Sequence, residues 1–418
     1  MNKNLIDEYI TTLSITRGFL ISLLASSFIY LDWFNINSLI LNSITALLFL
    51  YLLLASNSSR VWFWSGAFIG ILWFWWIGMS FKHYGFGWAM PIGVSIISIV
   101  YAFIFLTISW VSKRFREEWQ ELSIKSISLL TISYLHPFGF DWFRVELIFT
   151  DSYFGVQKWQ MALILFAVSL SIYKSKPIFL LITLLAYQPI IKRDIDISKI
   201  ELVNTNISID DKWSRDSRDI QIYLVQERID RAISEGKKLI IFPESVLPIY
   251  LNLNSALMDS FRERSKNIDI VVGALRWEDE TPRNSTYIFS KGRLLKIANK
   301  VILVPFGESN PLPDWLGEIV NRIFYDGAED YQASSEITTY RLDGVEYTNA
   351  ICYEGCSEFL YQNNPKNMIV TSNNGWFTPS IEPTLQKIIL KFYSRKYGTT
   401  IYHSVNMSKS FVVPYKGI

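Results

Sequence analysis

Cysteine and histidine are both scarce in this 418-residue chain, which has only two cysteines and three histidines. A disulfide framework is therefore excluded, and Cys352 and Cys356 are poor candidates for bonding to each other because they lie four residues apart before a predicted helix. The histidines His83, His136 and His403 are far apart in sequence. The histidines therefore offer no obvious side chains for a metal site or for a Ser/His/Asp triad.

An excess of charge of one sign is also missing. Forty Lys and Arg residues oppose 38 Asp and Glu residues, for a formal net charge of +2. No stripe of basic residues with interleaved aromatics stands out in the sequence. Nucleic-acid binding usually requires such a patch, so we expect no nucleic-acid partner.

Apolar residues, in contrast, are abundant. They make up 50% of the chain and aromatics 16%, and the mean hydropathy of +0.20 is high for a soluble enzyme. Apolar blocks dominate up to about residue 191, and charged, alternating sequence follows. This division predicts a transmembrane domain over residues 1–195 and a globular domain over residues 196–418.

About seven apolar stretches in the first domain resemble membrane spans. They are Ile15 to Leu31, Leu39 to Ala55, Val61 to Met79, Met90 to Val111, Ile124 to Leu135, Trp159 to Tyr173 and Pro177 to Ile191. A helix that crosses a bilayer needs about 20 apolar residues, so the last three are short. Within the third stretch, Gly66 and Gly70 form a GxxxG pattern, which favours close packing of a neighbouring helix over lipid binding.

Positive charges predict the orientation of these spans. They concentrate in alternate joints, at Arg60, at Lys113, Arg114, Arg116 and Lys125, and at Lys174 and Lys176. Basic residues favour the cytoplasmic side, so the amino terminus is expected there. An odd number of spans then places the globular domain on the opposite side of the membrane.

The globular domain alternates predicted strands and helices. Strands are predicted at Ile200 to Thr205, Lys238 to Phe242, Ile268 to Ala274, Thr286 to Phe289, Leu294 to Ala298, Ile337 to Leu342, Glu346 to Ile351, Met368 to Ser372 and Thr400 to Val405. Helices are predicted near Ser217 to Glu235, Ser255 to Arg264 and Pro383 to Tyr397. This alternation is typical of a layered α/β fold, with a mixed rather than purely parallel sheet.

Three residues with complementary chemistry flank apolar runs in this domain. Glu244 follows the run from Leu239, Lys300 precedes the run to Pro305, and Cys352 follows the run to Ile351. Taken singly, they read as a helix-start carboxylate, a solvated lysine and a small buried side chain. Together they supply what a cysteine nucleophile needs, a cation that favours the thiolate and a carboxylate that moves protons.

Four motifs in this order resemble those of the carbon-nitrogen hydrolase (nitrilase) superfamily. They are Phe242-Pro-Glu-Ser245, the string from Lys300 to Glu308, Ile351-Cys-Tyr-Glu354 and Ser372-Asn-Asn-Gly-Trp-Phe377. The Val-Pro-Phe-Gly-Glu string and the membrane half are similar, more narrowly, to the apolipoprotein N-acyltransferase family. The resemblance covers nearly the whole chain.

This resemblance implies a nitrilase-like αββα sandwich with a catalytic triad of Glu244, Lys300 and Cys352. It also implies that Trp213, Glu308, Tyr353 and Glu354 lie in or around the site, and Trp376 matches a family tryptophan. No metal or other cofactor is implied.

The activity implied by the resemblance is the last step of lipoprotein maturation, in the bacterial inner membrane with the catalytic domain in the periplasm. Cys352 would take an acyl chain from a phospholipid as a thioester, and the amine of a diacylglyceryl-cysteine on an apolipoprotein would then accept it. The partners are thus a phospholipid, an apolipoprotein and the bilayer, and the protein is expected to be a monomer.

Several alternatives stay open. Cys356 competes with Cys352 for the role of nucleophile, although the motif favours Cys352. A membrane-tethered amidase or nitrilase with the same triad would act on a small carbon-nitrogen substrate, and a non-catalytic membrane binding or transport protein would not need the thiol.

The sequence also departs from the family in places. Asn373 and Asn374 occupy a string where an Asp is usual, and Ile418 ends a chain that in relatives usually continues into a final strand and a last span. The two interpretations of that end are a short version of the fold and an incomplete sequence. A separate stripe of apolar residues, Trp315, Leu316, Ile319, Val320, Ile323 and Phe324, is either a gate for acyl chains or part of the core.

Overall fold

The structure is a computed structural model that describes residues 3–83, 85–189, 195–305, 307–308 and 331–414. The chain divides into two compact units, each of which is treated by itself. The first, the membrane unit, comprises residues 1–137, 141–190 and 379–392. The second, the sandwich unit, comprises residues 138–140, 191–378 and 393–418. The predicted stripe between Trp315 and Phe324 lies outside the described residues.

The membrane unit is helical, as its apolar blocks predict. Its α-helices are α1 (Lys3–Trp33), α2 (Leu39–Leu54), α3 (Ser59–Phe74), α4 (Ser80–His83), α5 (Met90–Ser112), α6 (Glu118–Thr131) and α7 (Lys158–Tyr173), and a 3-10 helix covers Pro177–Ala186. In the part of the chain that the structure describes, three segments are long and apolar enough to cross a membrane: Thr11–Trp33, Ser59–His83 and Gly87–Ser112. Shorter apolar helices cover Leu39–Leu54, Lys158–Tyr173 and Pro177–Ala186.

The fifth predicted span differs from the structure. Helix α6 begins at Glu118, earlier than predicted, so it includes polar residues that the apolar stretch left out. Its Lys125 is buried, pairs with Glu121 at 2.6 Å and donates to the backbone carbonyl of Ser56 at 3.1 Å. Lys125 therefore binds the carbonyl end of α2, where a cation is favourable, instead of lying in a solvated joint.

Helices α3 and α5 confirm the packing interpretation of the GxxxG pattern. A Cβ atom at Gly66 would lie 2.4 Å from the carbonyl oxygen of Tyr101, and one at Gly70 would lie 3.1 Å from that of Ile97. Only glycine permits this approach of the two backbones.

The described residues of the sandwich unit form twelve strands. They are β1 (Ile200–Leu202), β2 (Asn204–Thr205), β3 (Leu239–Ile241), β4 (Leu247–Tyr250), β5 (Asp269–Glu278), β6 (Thr281–Ser290), β7 (Arg293–Asn299), β8 (Thr339–Leu342), β9 (Val345–Ile351), β10 (Asn367–Asn373), β11 (Thr400–Asn406) and β12 (Phe411–Val413). The α-helices are α8 (Ile209–Trp213), α9 (Arg215–Ser234), α10 (Ser255–Arg264) and α11 (Glu382–Tyr397), the last of which begins in the membrane unit.

These strands form two six-stranded sheets. The first has the order β1-β3-β5-β6-β7 with β4 paired to β5, and the second has the order β12-β11-β10-β9-β8 with β2 paired to β11. Each sheet mixes parallel and antiparallel pairs, as predicted.

The core explains how the sheets are layered. Ile241 and Val271 of the first sheet share an apolar cluster with Ile369 and Tyr402 of the second, so the two sheets pack face to face. The other face of the first sheet packs in a separate cluster against α9 and α10. The α/β sandwich predicted from the sequence is therefore confirmed.

One predicted strand proved wrong. Ile200 to Thr205 is not a single strand, because β1 belongs to the first sheet and β2 to the second. The change occurs at Val203, whose backbone N–H donates to Ile241 and whose carbonyl accepts from the hydroxyls of Ser404 and Ser410. The short strands β4 and β12 were not predicted.

Candidate functional site

Cys352 lies at a sharp turn between strand β9 and a 3-10 helix, Cys352–Cys356. Its φ of 55° is in the left-handed region, which a residue with a side chain adopts at a cost of about 1–3 kcal/mol. A strained turn from strand to helix is the geometry that presents nucleophiles in other enzymes. Cys356, at the end of the same short helix, is completely buried, whereas Cys352 is partly exposed. The geometry thus favours Cys352 as the reactive thiol.

Glu354 holds this turn in place. Its carboxylate accepts hydrogen bonds from the backbone N–H groups of Ile351 at 2.6 Å, Val301 at 2.8 Å and Ile302 at 3.2 Å. Burial raises the pKa of Glu354 to about 7, against the lowering effects of the Lys300 charge and of these hydrogen bonds. Glu354 therefore connects the cysteine turn to the segment that follows Lys300.

Glu244 follows strand β3, as predicted, and its side chain is buried. Its Oε1 atom accepts a hydrogen bond from the side-chain amide of Asn284 at 2.7 Å. The backbone here passes close to strand β5, because a Cβ atom at Gly273 would lie only 2.6 Å from the carbonyl oxygen of Pro243. Glycine at position 273 thus permits the turn that carries Glu244.

Lys300 is also buried, but it follows strand β7, and residues 301–304 directly after it form no strand. Its Nζ atom lies 2.7 Å from Oε2 of Glu308 and 3.6 Å from Oε1 of Glu244. Burial acts to lower the pKa of Lys300, but the charges of Glu308 and Glu244 outweigh it and raise this pKa above its ordinary value. Lys300 is therefore a permanent cation at neutral pH.

Glu308 completes a cluster of four side chains. It accepts from the Asn284 amide at 3.0 Å through Oε1 and from the Val304 backbone N–H at 3.0 Å through Oε2. Asn284 thus bridges Glu244 and Glu308, while Lys300 lies between the same two carboxylates.

The Cys352 thiol lies within electrostatic range of this cluster. Its charge is among the interactions that raise the pKa of Lys300, and it acts in the same direction on Lys212. The structure therefore brings Glu244, Lys300, Glu308 and Cys352 together, with Glu354 adjoining them.

The three predicted aromatic residues occupy different positions. Tyr353 is buried, donates to the carbonyl of Gly139 at 3.3 Å and stacks on Phe140 with ring centroids 5.6 Å apart. Trp213 is the last residue of α8 and is 39% exposed. Trp376 ends a 3-10 helix, Asn374–Trp376, that follows β10.

Three further residues belong to the site and were not predicted. Asn284 lies within strand β6, Lys212 donates to the backbone carbonyl of Glu244 at 2.8 Å, and Tyr331 adjoins Glu308. Burial, and then the charges of Glu308 and other neighbours, raise the pKa of the Tyr331 hydroxyl. Of these three residues, only Lys212 could have been suspected from the sequence, because it directly precedes Trp213, which was predicted near the site.

This arrangement suits nucleophilic chemistry. Glu244 can accept a proton, Lys300 can stabilise negative charge, and the turn exposes a thiol beside them. Within the described ranges, no group of three His, Cys, Asp or Glu side chains could hold a metal ion.

Comparisons with known proteins agree with this architecture. Residues 12–191 match the family model for the apolipoprotein N-acyltransferase integral membrane domain. The apolipoprotein N-acyltransferase of Wolinella succinogenes is 38% identical over 94% of this chain and 94% of its own length. The chain belongs to the apolipoprotein N-acyltransferase family.

Two further proteins are similar to this chain, one over nearly its whole length and one over about half of it. The apolipoprotein N-acyltransferase of Campylobacter jejuni is 35% identical over 96% of this chain and 89% of its own length. A solved structure of a nitrilase-superfamily amidase from Nesterenkonia AN1 has a TM-score of 0.39 at 13% identity, covering 54% of this chain and 85% of that chain. The protein is thus a multi-pass membrane member of the acyltransferase family.

Proposed function

We propose that this protein transfers an acyl chain from a phospholipid to the amino-terminal diacylglyceryl-cysteine of apolipoproteins, with Cys352 as the nucleophile. The observation that carries the proposal is the buried pair of Lys300 and Glu244 in electrostatic range of a thiol at a strained turn. Full-length similarity to enzymes named for this reaction supports it.

In the first half-reaction, Glu244 takes the thiol proton and the Cys352 sulfur attacks the carbonyl carbon of a phospholipid ester. Lys300 stabilises the negative charge of the tetrahedral intermediate. The bond from carbon to the glycerol oxygen then breaks, and Glu244 returns the proton to that oxygen. The products are a lysophospholipid and a thioester on Cys352.

In the second half-reaction, the α-amine of the acceptor attacks the thioester carbonyl. Glu244 accepts the proton that the amine loses, and the bond from carbon to sulfur breaks. Glu244 then gives this proton to the Cys352 thiolate, which restores the starting state of both groups. A thioester suits this exchange because it remains activated toward an amine, and two products leave in turn as in a ping-pong scheme.

The same proposal includes a place in the cell. Basic joints such as Arg60 and Lys113 support a cytoplasmic amino terminus. The domain of residues 196–418 would then lie in the periplasm. A transmembrane domain of residues 1–195, with about seven helices, would anchor the chain in the bacterial inner membrane, where its lipid substrates lie. The protein would act as a monomer.

The test is mass spectrometry of the purified full-length protein in lipid nanodiscs of known phospholipid composition. We expect a mass increase of one acyl chain on wild type, mapped to the peptide that contains Cys352 and removed by hydroxylamine. The Cys352→Ser variant should lack the hydroxylamine-sensitive adduct, and Cys356→Ser should keep it.

Other outcomes separate the alternatives. An adduct mapped to Cys356 would overturn the assignment of the nucleophile. Hydrolysis of a small amide or nitrile without any lipid adduct would favour a tethered amidase, and lipoprotein acylation that survives Cys352→Ala would exclude thiol catalysis altogether.

A further inference from the structure

Lys212 is a second buried lysine beside the candidate nucleophile. Its side chain is only 1% exposed, and its Nζ atom donates to the backbone carbonyl oxygen of Glu244 at 2.8 Å. The short helix α8 that carries it is fixed by Gln221, whose side-chain amide donates to the carbonyls of Asp211 and Lys212. Lys212 therefore reaches the backbone of Glu244 from a helix that the hydrogen bonds of Gln221 hold in place.

Among the residues that the structure describes, this ammonium has no direct carboxylate partner. Lys300 lies within 4.0 Å of two carboxylates, but in the described part of the chain no carboxylate oxygen comes that close to Nζ of Lys212. Burial lowers the pKa of Lys212 to about 8, and the charges of Glu244 and Cys352 partly offset this effect. A buried cation without a salt bridge is costly unless an anion forms nearby.

The Cys352 thiolate is an anion that the charges of this site can balance. Glu244 and Glu308 are two carboxylates, and Lys300 supplies one ammonium between them. With Lys212 charged and the Glu354 carboxyl protonated, Glu244, Glu308, Lys300 and Lys212 sum to zero. The total including Cys352 stays zero when the thiol proton moves to Glu244. Without Lys212, the site would carry a net charge of −1 before and after this transfer, with the thiolate and Glu308 opposite a single cation.

We propose that Lys212 is a positioning residue of the site, which holds the backbone of Glu244 and contributes the second positive charge that stabilises the Cys352 thiolate. This inference rests on the proposed role of Cys352 as nucleophile. It extends the set of Glu244, Lys300 and Cys352 by a cation that acts through Glu244 and through the electrostatic potential at the sulfur.

The test is the pH dependence of Cys352 alkylation by iodoacetamide in the full-length protein, followed by mass spectrometry of the Cys352 peptide. Two variants separate charge from hydrogen bonding: Lys212→Met removes both, and Lys212→Gln removes the charge but keeps an N–H donor. We expect the pH of half-maximal alkylation to rise by about one unit in both variants. Lys212→Arg should retain the wild-type midpoint because it keeps the charge.

Lys237 provides a matched control. Its Nζ atom also donates to a backbone carbonyl, that of Ser198 at 2.8 Å, but on the exposed surface. Lys237→Met should alkylate as wild type does. A Lys212→Met profile that overlies wild type would overturn the proposal, and a wild-type midpoint in Lys212→Gln would reduce the role of Lys212 to its hydrogen bond.

Two measurements keep the result interpretable. Should the Lys212 variants lose their folded state, the wild-type profile decides, because a thiolate stabilised by this cation must reach half-maximal alkylation below the ordinary cysteine pKa of about 8.5. A single inflection at the ordinary pKa of cysteine would reject the proposal. Alkylation requires no acyl transfer, so failure of the proposed function would appear separately, as the absence of the thioester adduct in wild type.

Discussion

The side-chain amide of Asn284 donates a hydrogen bond to Oε1 of Glu244 at 2.7 Å. The same nitrogen donates to Oε1 of Glu308 at 3.0 Å. Because both acceptors are carboxylates, one neutral amide orients the candidate base relative to the carboxylate that binds Lys300. The position of the base thus depends on a residue that carries no charge of its own.

Replacement of Asn284 by alanine should slow acyl transfer without abolishing it. Hydrogen bonds to charged groups contribute about 1.5–3 kcal/mol, which corresponds to roughly a 10- to 100-fold loss in kcat. Asn284→Asp should be slower still, because it places a third carboxylate beside Glu244 and Glu308. The measurement is the rate of thioester formation on Cys352 in single-turnover experiments.

Asn252 is the control for this prediction. Its side-chain amide also donates to an acceptor of the first sheet, the carbonyl of Trp277 at 2.8 Å, but at the surface. Asn252→Ala should leave the rate within about twofold of wild type. An equal loss of rate in the two variants would show that Asn284 affects the rate only through the stability of the folded protein.

The candidate site was predictable where its residues lie at the ends of strands. Glu244 follows the apolar run that forms β3, and Cys352 follows the apolar run that forms β9. The end of such a run can be recognised in the sequence. Asn284 lies in the middle of β6, where sequence spacing does not indicate which strand or loop will face it. Its role depends on Glu308, 24 residues further along the chain.

The same limit applies to Lys212 and to the strand predicted from Ile200. A lysine in a short polar helix is expected to be solvated, and only the position of Glu244 explains why Lys212 is buried. The residues around Val203 have the pattern of a single strand. Hydrogen bonds from Ser404 and Ser410 to the Val203 carbonyl mark the point where this segment passes from the first sheet to the second. In both cases, partners distant in sequence decide the local structure.

Glu354 should make the protein less stable as the pH rises. Its folded-state pKa of about 7 lies above its ordinary value of 4.5, so the folded state binds the proton more tightly. Stability from this group is full below pH 4.5 and is lost as the pH rises to about 7. Glu354→Gln should remove this slope, as measured by Tm between pH 4.5 and 7.5.

A second expectation follows for the thiol. Because Gln cannot reproduce three accepted backbone hydrogen bonds, Glu354→Gln should also loosen the turn and slow alkylation of Cys352. Glu358→Gln is the control, since Glu358 lies two residues beyond the cysteine helix and its carboxylate binds Lys396 and Tyr397 instead. A pH slope in Glu354→Gln as steep as that of wild type would contradict the assignment.

Gly66 should be intolerant of a side chain. A Cβ atom there would lie 2.4 Å from the Tyr101 carbonyl and 2.8 Å from Cβ of Phe105, so helices α3 and α5 would have to separate. Overpacking of this kind costs about 1–3 kcal/mol. We expect Gly66→Ala to lower Tm by several degrees, whereas Gly87→Ala, with nothing within 4 Å, should leave it unchanged. Equal Tm values would mean that the two helices tolerate greater separation than this packing indicates.

His403 should have the opposite pH effect to Glu354. It is buried in strand β11, where Nε2 lies 2.7 Å from the Ser372 hydroxyl and the ring packs edge-on against Phe411. Burial lowers its pKa from 6.5 to about 3, because a charged imidazole would lose its hydration there.

The sign of the effect follows from this shift. The unfolded chain binds the proton more tightly, so the stability from neutral His403 is full above pH 6.5 and is lost as the pH falls toward 3. His403→Gln should therefore flatten the decline of Tm between pH 6.5 and 4, whereas the same change at exposed His136 should not. A decline in His403→Gln as steep as in wild type would show that other buried groups cause the acid sensitivity.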